Sequence, residues 1–165
     1  MLNLSGTQAA KMTRAALIGA MYVALTYLSS LFGLSSGVIQ VRISEALLVL
    51  PAFLPEAVPG LFIGCLISNI LTGCMPWDIV FGSLATLIGA YGAYLMRKLP
   101  YKLGWLTTLP NIISNALIVP FVLILVYGAE DGYWFILATV TLGEVIAGGI
   151  FGTVLYYGLY KLFRK

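Results

Sequence analysis

Histidine is absent from the 165-residue chain, which removes the commonest side-chain base near neutral pH and the commonest metal ligand together. Charge is scarce as well. Only 9% of residues are Asp, Glu, Lys or Arg, against roughly a quarter in an ordinary soluble domain. With a hydrophobic share of 61%, that shortage speaks against a water-soluble fold. The two cysteines, Cys65 and Cys74, lack C-x-x-C spacing and read as inert residues of an apolar run, not as a metal or redox pair. No G-x-x-x-x-G-K-[ST] phosphate loop occurs, so the chain does not itself draw on ATP by that route. No G-x-S-x-G elbow or H-E-x-x-H pair occurs, and serines such as Ser44 and Ser83 have no histidine to activate them. The expectation is a chain without metal, cofactor or catalytic residues, too short to add a soluble catalytic module.

What is present is a succession of apolar segments. Breaks at Gly, Pro and charge place them at approximately 13–32, 40–54, 58–74, 77–96, 105–127 and 133–160. Spans of ~20 residues each would use most of the chain and leave short connections, so residues 1–165 are expected to form a single transmembrane domain: an all-α membrane protein of six transmembrane helices. The first segment follows Lys11 and Arg14 in the manner of a signal peptide, but it is long enough to span and others follow, so it is read as a retained helix. The second is short, running from Gln40 and Arg42 to Pro51 and Pro55. It would span with help from the loop before it, Gly33 to Val38, which is a candidate lid. No internal repeat or low-complexity tract is visible.

Orientation follows from the nine Lys and Arg residues, because positive charge beside a span stays cytoplasmic. Lys11 and Arg14, then Arg97, Lys98 and Lys102, then Lys161, Arg164 and Lys165 all fall on one side of a six-span arrangement, with both termini cytoplasmic. The opposite loops carry no basic residue and hold Glu130 and Asp131. Arg42, near the outer end of the second span, is the exception.

Ionisable side chains in a bilayer are costly and mark ligand or ion sites. Arg42 and Glu45 in the second span, Asp78 at the outer start of the fourth and Glu144 in the sixth are the candidates. At ~1.5 Å per residue, Glu144 lies roughly 16 Å below Tyr133. Asn69, Asn111 and Asn115 add amides that donate and accept. Plainer roles exist for most of these. Arg42 and Glu45, three apart on one helix face, would neutralise each other; Asp78, after Pro76 and Trp77, would cap free N–H groups; Asn69 and Asn115 would bond between helices. Glu144 has no plain role, since a lone buried carboxylate must pair, protonate or bind something. Trp77, Tyr127, Tyr133, Trp134 and Phe135 gather at the outer face as an interfacial belt. Trp77, beside Asp78, also offers a flat ring to a flat hydrogen-bonding ligand. Ala16, Ala20 and Ala24 lie four apart on one face of the first helix, a stripe that allows another helix to approach closely.

The blocks VRISEALLVLPAFLPEAVPGLFIGCLISNIL, WDIVFGSLATLIGAY, NALIV and LGEVIAG resemble the QueT family from about Arg14 to the last helix. These are substrate-binding S components of energy-coupling factor (ECF) transporters, assigned to queuosine precursors. The resemblance implies a six-helix S-component bundle in the cell membrane, with an outward-facing pocket formed by the loop after helix one and the outer parts of helices four to six. It implies a transmembrane coupling subunit and two cytoplasmic ATPases as partners, beside the lipid bilayer and without nucleic acid. Ala16, Ala20 and Ala24 match the A-x-x-x-A face that docks on the coupling subunit. A deazaguanine ligand such as queuine or a precursor base presents an imide N–H and an amine together, which Glu144, Asp78 or Glu45 could accept. Arg42, Asn69 or Asn115 could meet the neighbouring carbonyl, and a cationic aminomethyl group would want a second carboxylate. The expected binding residues are therefore Arg42, Glu45, Asn69, Trp77, Asp78, Asn115 and Glu144. Two readings compete: an ion-coupled secondary transporter in which Glu144 relays protons, and a small intramembrane enzyme, which lacks an evident nucleophile and base.

Overall fold

The structure is a computed structural model that describes residues 7–35 and 40–163. Positions 36–38 of the candidate lid, and Arg164 and Lys165 of the last basic cluster, lie outside the described residues. Among the described residues the chain is helical without strands, and each apolar segment of the sequence corresponds to one helix: α1 (Gln8–Leu31), α2 (Ile43–Ala52), α3 (Ala57–Leu71), α4 (Pro76–Lys98), α5 (Tyr101–Leu125) and α6 (Tyr133–Phe163).

α1, α4, α5 and α6 are each long and apolar enough to cross a bilayer, while α2 and α3 are shorter apolar helices. α1 starts five residues before the expected boundary because the Thr7 hydroxyl accepts from the Ala10 N–H at 3.4 Å, capping a polar first turn. α2 is wound at the tighter pitch of three residues per turn. At ~2.0 Å per residue this stretches its ten residues to roughly 20 Å, longer than an α-helix of the same length but short of a ~30 Å hydrocarbon core. Every residue from Ser44 to Ala52 is buried, so α2 is the axis of the bundle and the other helices surround it.

The surface is correspondingly apolar. Leu125 and Trp134 are each 78% exposed, and Leu17, Val154 and Leu162 project from other helices. Such a surface belongs in lipid, and the chain is a multi-pass membrane protein. Small residues set the closest packing. A Cβ at Gly19 of α1 would sit 2.9 Å from the Gly60 carbonyl oxygen of α3, and one at Gly64 would sit 2.8 Å from the Gly19 carbonyl oxygen, so α1 and α3 meet backbone to backbone. Ala16, Ala20 and Ala24 are exposed beside this seam. They line an apolar groove of about 820 Å³ between α1 and α3, together with Val23, Ile63 and Ile67.

Candidate functional site

The polar residues of the core converge where α2 begins. Arg42 precedes the helix in extended backbone (φ −93°, ψ 108°) and Glu45 lies in its first turn. They do not share a helix face, as the three-residue spacing had suggested, because the chain turns helical only after Arg42. The guanidinium donates through Nε to the Ser35 carbonyl at 2.7 Å and through Nη1 to Asn69 Oδ1 at 3.1 Å. Its bonds go to the loop after α1 and to α3, not to Glu45.

Glu45 is 3% exposed. Its Oε1 accepts from the hydroxyl of Tyr22 on α1, and its Oε2 accepts from Asn111 Nδ2 on α5 at 3.0 Å. The same Asn111 nitrogen donates to Glu144 Oε2 on α6 at 2.9 Å. Both amide protons of Asn111 are therefore committed, one to each of two carboxylates, and its Oδ1 accepts from Asn115 Nδ2 at 3.0 Å. Four helices meet in one hydrogen-bonded chain running from Tyr22 through Glu45 and Asn111 to Glu144. Gly148 of α6 leaves space beside it: a Cβ there would lie 3.1 Å from Asn111 Nδ2 and 3.5 Å from Glu144 Oε2. Gly143 has a related role. A Cβ at Gly143 would overlap the Gln40 carbonyl oxygen, so only glycine lets the segment entering α2 press against α6 one residue before Glu144.

A second polar layer lies toward the α3–α4 connection and the turn after α5. Asp78 is 7% exposed and accepts through Oδ2 from the Tyr127 hydroxyl at 2.9 Å. That hydroxyl in turn accepts the Met75 N–H at 3.0 Å. Asp78, in the first turn of α4, thus joins the α3–α4 connection to the turn after α5 through Tyr127. Burial, with the carboxylate of Asp78 adding to it, pushes the Tyr127 hydroxyl up to about 12. Burial also raises the Cys74 thiol. The two layers touch at Gly82, where a Cβ would lie 3.2 Å from Asn69 Nδ2 and 3.5 Å from Asp78 Oδ1.

Of the residues selected from sequence, Arg42, Glu45, Asn69, Asp78, Asn115 and Glu144 are thereby brought into two adjoining polar layers. Trp77 is not. It is 61% exposed and stacks on Phe81 with ring centroids 6.1 Å apart, because helical rotation carries position 77 outward when position 78 faces in. Tyr22 was not selected from sequence, and Asn111 was noted only as one amide among several. The available signal was the spacing of Tyr22, Thr26 and Ser29, a polar stripe buried at 0–1% exposure in the apolar stretch that follows Arg14. Among the described residues no group of three or more His, Cys, Asp or Glu side chains could hold a metal ion.

A family model described as QueT transporter matches residues 12–161. A curated relative, the queuosine precursor transporter QueT of Lactococcus lactis subsp. cremoris (strain MG1363), is 39% identical over 74 residues. That alignment covers 44% of this chain and 43% of the relative. No solved structure matches the chain.

Proposed function

The chain belongs to the QueT transporter family, and from that premise we propose that it is the substrate-binding subunit of an ECF importer, capturing a queuosine precursor or queuine-like deazaguanine from outside the cell. The supporting observation is the division of one amide, Asn111, between the carboxylates of Glu45 and Glu144. No bond joins either carboxylate to the guanidinium of Arg42, whose bonds go elsewhere. Two carboxylates held together by one amide, Glu45 in the apolar interior and Glu144 half-buried beside it, call for a ligand rich in N–H donors. The imide and amine edge of a deazaguanine, or a cationic substituent on it, has that character.

On this reading Glu45 and Glu144 accept from the ligand, and Asn115 and Asn69 frame it. Arg42 is free through its remaining N–H groups to meet a ligand carbonyl. Asp78 with Tyr127 closes the outer layer. The chain is one transmembrane domain with both termini cytoplasmic, and it acts as a carrier, not an enzyme. Ala16, Ala20 and Ala24, exposed along the groove between α1 and α3, are the face for a transmembrane coupling subunit, which two cytoplasmic ATPases would drive.

Calorimetric titration of the purified protein in detergent with queuine and its precursor bases tests the reading. Calorimetry is preferred to tryptophan fluorescence because Trp77, Trp105 and Trp134 are all exposed. Saturable binding that weakens by ~10-fold or more in Glu144→Gln and in Arg42→Ala, the loss of one charged hydrogen bond in each case, is the expected result. A folded protein that binds no deazaguanine overturns the substrate. Uptake in cells lacking the coupling subunit would overturn the ECF mechanism and favour an ion-coupled transporter.

A further inference from the structure

Helix α1 is fastened to the start of α2 by three successive side-chain bonds. Tyr22 donates to Glu45 Oε1, the Thr26 and Ser44 hydroxyls bond each other at 2.8 Å with Thr26 Oγ1 accepting, and Ser29 Oγ accepts the Ile43 N–H at 3.1 Å. Positions 22, 26 and 29 fall on one helical face, and residues 45, 44 and 43 are consecutive. All three α1 residues are buried. The rungs differ in what they hold. Thr26 and Ser29 also donate to backbone carbonyls of their own helix, those of Tyr22 and Leu25, so their hydroxyls serve helix packing. The Tyr22 hydroxyl goes to a carboxylate, the one whose other oxygen shares Asn111 with Glu144.

We propose that Tyr22 is a positioning residue for ligand capture: its hydroxyl fixes Glu45 so that the Glu45 and Glu144 carboxylates present one fixed acceptor surface to the ligand. A carboxyl group on a flexible stem would otherwise turn among its rotamers. Asn111 alone cannot prevent this, because it contacts one oxygen of each carboxylate and leaves Glu45 free to swing about that single bond. The Tyr22 bond supplies the second point of attachment. α1 therefore contributes to ligand affinity through Glu45.

This inference rests on the deazaguanine-binding reading, and the test separates the two. Full-length protein in detergent is titrated with an aminomethyl-substituted deazaguanine by calorimetry, and thermal unfolding is recorded on the same samples. Tyr22→Phe keeps the ring that packs in the core and removes only the hydroxyl, while Thr26→Val removes the neighbouring rung. The expected result is affinity weakened about tenfold in Tyr22→Phe, the scale of one hydrogen bond to a charged group, with Thr26→Val destabilised but unchanged in affinity. In a Glu45→Leu background, which offers the hydroxyl no acceptor, adding Tyr22→Phe should then weaken binding no further. Unchanged affinity in Tyr22→Phe overturns the inference, as does an equal loss of affinity in Thr26→Val, which would reduce both residues to packing. An additional tenfold loss in the Glu45→Leu background would also overturn it, since Tyr22 would then act without Glu45. If the unsubstituted protein binds no deazaguanine, the substrate reading and this inference fall together. If it binds and Tyr22→Phe is indifferent, only the inference falls.

Discussion

Replacing Asn111 with alanine removes two hydrogen bonds to carboxylates, at 3.0 and 2.9 Å, from a position 1% exposed. Each bond to a charged acceptor contributes roughly 1.5–3 kcal/mol. Glu144 is only half-buried and recovers part of its loss from solvent, so a total of about 3–4 kcal/mol is expected, toward the lower end of the sum. For a domain of this size, ~2–4 °C per kcal/mol converts that to a fall in midpoint of roughly 6–16 °C. Thermal unfolding in detergent, followed by circular dichroism, measures it directly. Asn111→Asp keeps the side chain's shape but places a third acceptor among carboxylates, so it should be at least as damaging as alanine. A midpoint for Asn111→Ala within about 2 °C of the unsubstituted protein, under 1 kcal/mol, would show that the amide does not bridge the two carboxylates, and the geometry on which the binding site rests would be wrong.

Gly143→Ala should abolish or strongly reduce the yield of monodisperse folded protein, because its Cβ would overlap the Gln40 carbonyl oxygen. Gly158→Ala, where a Cβ meets nothing within 4 Å, should leave the yield unchanged; size-exclusion chromatography compares them. The Tyr127 hydroxyl, pushed up to about 12 by burial and by Asp78, keeps its proton in the folded state after the unfolded chain has lost its own. Its contribution to stability is therefore complete below about pH 10 and is lost as pH rises toward 12. Tyr127→Phe should remove that part of the alkaline loss, seen as a shallower slope of midpoint against pH in this window. Cys74, whose thiol is raised by burial, should alkylate slowly at neutral pH and faster as pH rises. The buried Cys65 should react only on unfolding, and mass spectrometry of timed samples distinguishes the two.

The sequence by itself determined the class of the molecule and the places where its helices lie. Scarce charge, six apolar segments and basic residues clustered beside alternate connections are solvent-partition effects, local to each segment and therefore visible along the chain. It also marked most of the polar candidates, because an ionisable residue within an apolar run is conspicuous wherever the chain later carries it. Pairing was not visible. Arg42 and Glu45 look like partners three residues apart, yet the backbone turns helical between them and sends one to Asn69 and the other to Tyr22 and Asn111. Trp77 and Asp78 are adjacent in sequence but face opposite ways, since neighbouring helical positions are rotated by about 100°. The bridge from Glu45 to Glu144 spans 66 residues from Glu45 to Asn111 and a further 33 to Glu144. Only close packing brings those side chains together: Gly143 against Gln40, and Gly148 beside Asn111. Hydrogen bonds act over about 3 Å, and no periodicity in a sequence records which distant residues the tertiary fold places within that reach.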